Sequence, residues 1–444
     1  MKNIILIINI IFLLNPYLKA DELKNRILSM KDRSEIRDKF LEDRIKSVLP
    51  TIMERTEIDM WVISAREYNE DPVLRTMLPA NWLNARRRTI LVIYNPGNNL
   101  PLETFAIARY DVGTIFKKAW DPEENPDQYD ALANLINEKN PTKIGLNQSE
   151  YFAQADGLTS TEFKLLKKSL SRKIIKKVVS AERLAIGWLE TRSELEMDYY
   201  SEICKIAHDI IKEGFSSNVV KPGITTTDDI VWWYRERIRD LKLNTWFHPT
   251  VDLQRSDNAQ FDFLSSFSKS KENNVIYPGD LLHVDFGITY LGLNTDTQQL
   301  AYVLRKNEFD APIELKDALK VGNNLQDILT NEFITGRSGN EILKLALTKA
   351  KAVGINPQIY THPIGYYGHG SGPTIGMWDK QEGVPVNGDY PLFPNTAFSI
   401  ELNAKVFVKS WKKEIAIMLE EDAFFDGNET RYIDPRQTEL ILIK

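Results

Sequence analysis

Gly279-Asp280-Leu281-Leu282-His283-Val284-Asp285-Phe286-Gly287, followed by Thr295-Asp296, is the stretch on which the reading of this chain turns. Two β-rich runs, Leu281 to Tyr290 and Thr295 to Leu304, flank a short loop that contains Gly292. The pattern predicts a hairpin closing near Tyr290 and Leu291. Asp285 and Asp296 lie 296 − 285 = 11 positions apart and would sit roughly opposite one another on one face. Aspartate is depleted in strands, so two on one face ask for a reason. Taken alone, a solvated hairpin face or turn capping accounts for them as well.

Further along, His362-Pro363-Ile364-Gly365 leads to His369, and the glycines between the two histidines let backbone approach closely. One imidazole can then ligate while the other stays free to donate a proton or a hydrogen bond. Glu401 lies in the strand-like run Ala397 to Leu402, and Glu420 closes another, Ile415 to Leu419. Strand alternation could turn either glutamate outward. Glu421 competes with Glu420 because the register is open; we assign Glu420. Four carboxylates gathered with one histidine could not stay ionised together without cations, because like charges at close range raise one another's pKa. Two divalent ions would balance Asp285, Asp296, Glu401 and Glu420, with His362 as the nitrogen donor. Such sites are usually hydrolytic. Carboxylates suit manganese, magnesium or calcium, and one imidazole tilts the choice toward a transition metal. Manganese therefore comes first, with zinc or cobalt behind it.

The chain around these residues has 444 positions, 43% of them apolar and 27% charged, enough for two domains with large cores. A net charge of -6 gives no electrostatic case for nucleic acid or acidic lipid. One cysteine, Cys204, excludes an internal disulfide framework. Residues 1–20 read as a signal peptide: Lys2, then an apolar run of eleven residues from Ile4 to Leu14 broken only by Asn9, then Ala20 before a cut. The run is short for a span, which needs about 20 apolar residues. The expectation is a periplasmic or secreted protein with no stable membrane anchor after cleavage; an uncleaved anchor is the other reading. Strand signals at Met60–Ile63, Thr89–Tyr94, Phe105–Arg109 and Lys143–Leu146, with a helix over Tyr129–Glu138, predict an α/β domain over residues 21–185. Residues 186–444 would form the second domain. It opens on a capping box at Ser193 and Glu196 and continues with a helix over Thr226–Leu241. Helical stretches around residues 315–333 and 340–353 interrupt its strands.

The order Asp, Asp, His, Glu, Glu resembles the pita-bread-fold metallopeptidases: Xaa-Pro aminopeptidases, prolidases and methionine aminopeptidases. The matching stretches are Gly279–Gly287, Thr295-Asp296, His362–Gly365, Ser399-Ile400-Glu401 and Leu419-Glu420-Glu421-Asp422. The front half resembles the creatinase-like N-terminal domain of the proline-specific branch. The resemblance implies an α/β N-terminal domain followed by an α+β pita-bread catalytic domain. It implies that Asp285 chelates one metal, that Asp296 and Glu420 bridge two, and that His362 and Glu401 complete the set. Glu401 would collect the proton of the attacking water, and His369 would contact the substrate and stabilise the tetrahedral intermediate. Small proline-containing peptides are the implied substrates, and a homodimer is an implied assembly.

Several positions depart from that pattern. The stretch Gln260 to Lys271 should hold an upstream histidine and has none. His283, which shares strand parity with Asp285, and His248 are the candidates for its place. Gln298 and Gln299 stand where an arginine is common, and Leu402 replaces a proline. An extra stretch, Thr374 to Leu392, contains Trp378, Asp379 and Tyr390 and could shape a substrate pocket. A divergent or non-catalytic peptide-binding protein on the same fold is the alternative. A metal-free creatinase-like amidinohydrolase is disfavoured, because that branch lacks the five ligands.

Overall fold

In the computed structural model the described residues are 22–257 and 274–444. The proposed signal segment and the stretch Gln260–Lys271 lie outside them. The first unit is a six-stranded sheet built on β1 (Met60–Arg66) and β2 (Arg88–Tyr94). Both are apolar on both faces, which marks central strands covered on two sides. Around them lie β3 (Glu103–Ala106), β4 (Lys117–Lys118), β5 (Ile144–Leu146) and β6 (Val178–Ser180), in the order β4-β3-β2-β1-β5-β6. The third strand is shorter than the Phe105–Arg109 signal, and the predicted helix runs over Gln128–Lys139. One face packs on that helix through Leu132 and Ile136; the other packs on Leu49, Ile52, Val73, Leu74 and Trp188.

The second unit uses a helix pair and then strands, twice over. Helices Glu194–Gly214 and Thr227–Asp240 share a core with β7 (Thr250–Gln254), β8 (Leu281–Phe286) and the hairpin beyond it. Both helices begin at capping boxes, Ser193 with Glu196 and Thr226 with Asp229. The hairpin comprises β9 (Thr289–Tyr290), β10 (Leu293–Asn294) and β11 (Thr297–Val303). Helices Ile313–Thr330 and Gly339–Ala352 then pack on β12 (Asn356–Ile359) and its neighbours. After β13 (His362–Pro363) come β14 (Thr396–Ser399), β15 (Leu402–Val408), β16 (Lys413–Leu419), β17 (Asp422–Phe425), β18 (Thr430–Tyr432) and β19 (Ile441–Ile443). Among the described residues no helix is long and apolar enough to cross a membrane.

The run Ala397–Leu402 is not one strand. β14 belongs to the sheet β13-β14-β17-β18 and β15 to the sheet β12-β15-β16. The chain changes sheets at Ile400-Glu401, and its partner changes back at Glu420-Glu421. The register survives the crossing: Ser399 faces Asp422 and Leu402 faces Leu419, so Glu401 comes directly opposite Glu420.

The two units are joined by buried charge. Arg44, on the helix Met30–Ser47, donates from Nη1 to Glu196 Oε2 at 2.7 Å, and Arg192 Nη1 donates to Glu196 Oε1 at 3.2 Å. All three side chains are wholly buried. Glu196 works against its burial, and Arg192 and Arg44 hold its pKa below the usual glutamate range. Removing it would strand two buried guanidinium groups. Glu196→Ala should cost about 3–5 kcal/mol of stability, read from urea unfolding; a loss under about 1 kcal/mol would show that the triad does not hold the units together.

Candidate metal centre

The hairpin delivers the first two carboxylates. Asp285 pairs with Gln298, and the same register carried through Tyr290 opposite Leu293 places Asp296 opposite Gly287. The two aspartates therefore share one face but are offset by one pleat, not directly opposed. The turn is Leu291-Gly292, with φ of 55° and 87°. Two left-handed residues in succession make the type I′ geometry that suits a two-residue hairpin, and glycine takes it without strain. Across the cluster, backbone bonds run from Gln298 N to Glu420 O at 2.9 Å and from Glu420 N to Gln298 O at 3.3 Å. They tie this hairpin to the strand crossing that carries Glu401 and Glu420.

His362 enters from β13, paired with Ser399. Its Nδ1 lies 3.0 Å from the Pro363 carbonyl, so Nδ1–H donates there and the Nε2 lone pair points inward. Nε2 stands 3.5 Å from Glu420 Oε1, 3.7 Å from Asp296 Oδ2 and 4.0 Å from Glu401 Oε2. One donor atom each from Asp296, His362 and Glu420 lies within 4.8 Å of the others. Asp285 Oδ1, Asp296 Oδ1 and His362 Nε2 are buried and have no hydrogen-bond partner among the described residues. Burial, then Glu420, then Asp285 push Asp296 well above the usual carboxylate range. Burial followed by Glu420 does the same to Asp285 and Glu401. Orphaned inward donors and carboxylates that repel one another fit divalent cations.

The surrounding groups are less legible from sequence. Ser399 Oγ donates to Glu420 Oε1 at 2.6 Å. Asp422, beside the ligands, accepts from Asp296 N at 3.2 Å, and the Cys204 thiol points at it from 3.5 Å. Glu421 turns away from the cluster to His208, which is held between Glu421 at 2.8 Å and Asp434 at 2.6 Å. Burial opposes the charge on His208, but Glu421 and Asp434 raise its pKa to about 10. Strand pairing thus separates the two adjacent glutamates, with Glu420 in the cluster and Glu421 in a structural ion pair.

His369 meets His362 edge-on, ring centres 4.7 Å apart, and burial and His362 lower its pKa to about 4. Trp246 lies against His369 at 5.1 Å and against Phe247 at 4.5 Å, with its indole N–H donating to the Thr295 carbonyl at 3.0 Å. The first unit fastens this loop from outside. Gln154 Nε2 donates to the His369 carbonyl at 2.9 Å, Ser371 Oγ donates to Gln154 Oε1 at 3.3 Å, and the Tyr367 hydroxyl donates to the Pro72 carbonyl at 2.8 Å. His283 is buried, with Nε2 2.9 Å from Gln298 Oε1. His248 lies elsewhere: it is exposed, its ring 5.2 Å from Trp232 and its Nδ1 3.4 Å from Arg235. Within the extra stretch, Tyr390 is buried in the first unit's core and donates to Glu190 at 3.0 Å, while Trp378 is half exposed.

The metallopeptidase family M24 model matches residues 198–424, just over half of the chain. The chain belongs to metallopeptidase family M24. Its fold is the pita-bread fold of that family, behind an N-terminal α/β unit. No curated protein sequence matches the chain. Among solved structures it is similar to an X-Pro aminopeptidase from Thermotoga maritima MSB8, at 16% identity and a TM-score of 0.60, covering 88% of this chain and 99% of that one. It is similar to an Xaa-Pro dipeptidase from Bacillus anthracis, at 16% identity and 0.55, covering 93% and 100%. It is also similar to the prolidase from Pyrococcus horikoshii OT3, at 14% and 0.54, covering 92% and 100%. At such identities the likeness is one of fold.

The raised carboxylates make a measurable statement about this M24 protein. Groups held protonated without metal must release protons when a cation binds. Titrating manganese into the chelator-stripped protein at pH 7 should give a binding heat that varies with the ionisation enthalpy of the buffer, in the sense of proton release. A buffer-independent heat would mean that the cluster is already ionised.

Proposed function

We propose that this protein is an exported, dinuclear-metal exopeptidase that hydrolyses the peptide bond preceding proline. The observation that carries the proposal is the meeting of Asp296, His362 and Glu420, with Glu401 Oε2 4.0 Å from His362 Nε2 and with buried, unpartnered atoms on Asp285, Asp296 and His362. Membership of M24 supports the peptidase chemistry, and the similarity in fold to an X-Pro aminopeptidase, an Xaa-Pro dipeptidase and a prolidase supports the proline preference. These five residues would hold two ions, with manganese first and zinc or cobalt after it. When bound, the ions supply water activation and polarisation of the scissile carbonyl.

The protein's own groups do the rest. Glu401 takes a proton from the attacking water and returns it to the leaving imino nitrogen. His369, neutral and free of the cluster, donates a hydrogen bond to the carbonyl oxygen as charge develops on it. Trp246 and Phe247 wall the approach to His369 and offer an apolar face to a five-membered ring. The N-terminal segment, with Lys2, the run Ile4–Leu14 and Ala20, supports export.

With manganese added, the purified protein should release free amino acid from Xaa-Pro-Yaa tripeptides if it is an aminopeptidase, and from Xaa-Pro dipeptides if it is a dipeptidase. No cleavage of either with two metals bound would overturn the peptidase reading in favour of a peptide-binding protein. Trp246→Ala should raise KM by roughly 3- to 10-fold with little change in kcat, the loss of one aromatic contact of about 0.5–1.5 kcal/mol. An unchanged KM would remove Trp246 from the substrate wall.

A further inference from the structure

Gln298 is a neutral group that touches two opposed carboxylates of the cluster. Glu401 and Glu420 face each other across the ribbon, an arrangement that like charges disfavour. Gln298 Nε2 donates to Glu401 Oε1 at 2.6 Å and to Glu420 Oε2 at 2.7 Å. One amide nitrogen thus spends its two hydrogens on the two glutamates. Its other end is fixed as well, with Oε1 2.9 Å from His283 Nε2. With both carboxylates ionised they accept and cannot donate, so in that state the amide lies with nitrogen toward them and oxygen toward His283, and His283 carries its proton on Nε2. The Gln298 backbone is pinned to Glu420 by two hydrogen bonds, so little freedom is lost in placing the side chain. With Gln298 on one oxygen of each glutamate, the others stand near His362 Nε2: Glu401 Oε2 at 4.0 Å and Glu420 Oε1, which also accepts from Ser399 Oγ, at 3.5 Å.

We propose that Gln298, locked by His283, is the positioning residue that aims Glu401 and Glu420 at the metal. The proposal rests on the reading of the cluster as a metal centre. It does not depend on which peptide is cut. A group that orients ligands without touching the metal is worth 10- to 100-fold in affinity.

The test is a manganese binding isotherm on the full protein, wild type against three variants, with thermal unfolding of each metal-free form as a check on folding. Gln298→Met keeps the volume and removes both donors; its manganese affinity should fall at least tenfold. Gln298→Glu replaces the donors with a further charge and should fall further. His283→Phe leaves Gln298 in place but frees its orientation and should show a smaller loss. If folded Gln298→Met binds manganese within threefold of wild type, the positioning role is refuted. Should that variant not fold, His283→Phe decides alone: wild-type affinity refutes the lock and a loss supports it. Wild-type protein that binds no manganese would overturn the metal-centre reading itself, a result separate from either variant outcome.

Discussion

Four carboxylates that must come within a few ångströms of one another, out of water, are the constraint around which this protein is built. At such distances like charges repel by several kcal/mol even at an effective dielectric near 20. The chain meets this with rigidity. Two antiparallel ribbons, one turning at Leu291-Gly292 and one crossing between sheets at Glu401 and Glu420, are bonded to each other through Gln298 and Glu420. Helix pairs press on both sides. With their backbones held in paired strands and their side chains largely buried, these carboxylates find relief in cations or protons.

Much of this was legible in the sequence. The aspartates announced themselves as acidic residues inside β-rich runs, and His362 with His369 stood out among glycines. Their order along the chain carried the fold. What remained unread has physical reasons. Glu401 looked like a residue within one strand because a ribbon that changes sheets keeps its alternation of apolar residues through the bend. Glu420 and Glu421 could be told apart only by the register of β16 and β17, which depends on pairing partners far away in sequence. Gln298 stands where the resemblance leads one to expect an arginine, and nothing local reveals an amide shared by two glutamates over 100 residues away. Trp246 gave no signal, since its partner His369 is brought to it only by the tertiary fold. His248 is an exposed ring set between Trp232 and Arg235, surroundings that no local pattern foretells.

The two units are less independent than their separate sheets suggest. Arg44 reaches a capping-box glutamate of the second unit, and Tyr390 of the second unit fills the core of the first. Leu23 and Phe40 pack into the core beneath the hairpin. Hydrophobic burial and buried ion pairing run across the seam, which makes the seam part of the catalytic unit's own support.

Gln154 and Tyr367 give that seam a particular meaning. The five clustered residues are held by strand pairing inside the second unit, whereas the backbone of His369 is held by the first. Partial opening between the units, an excursion smaller than global unfolding, would slacken the histidine loop and leave the cluster intact. On warming, the molecule should therefore pass through a range in which the cluster can still bind a metal but the loop that carries His369 has lost its alignment. Catalytic competence would then have a lower thermal ceiling than cation binding.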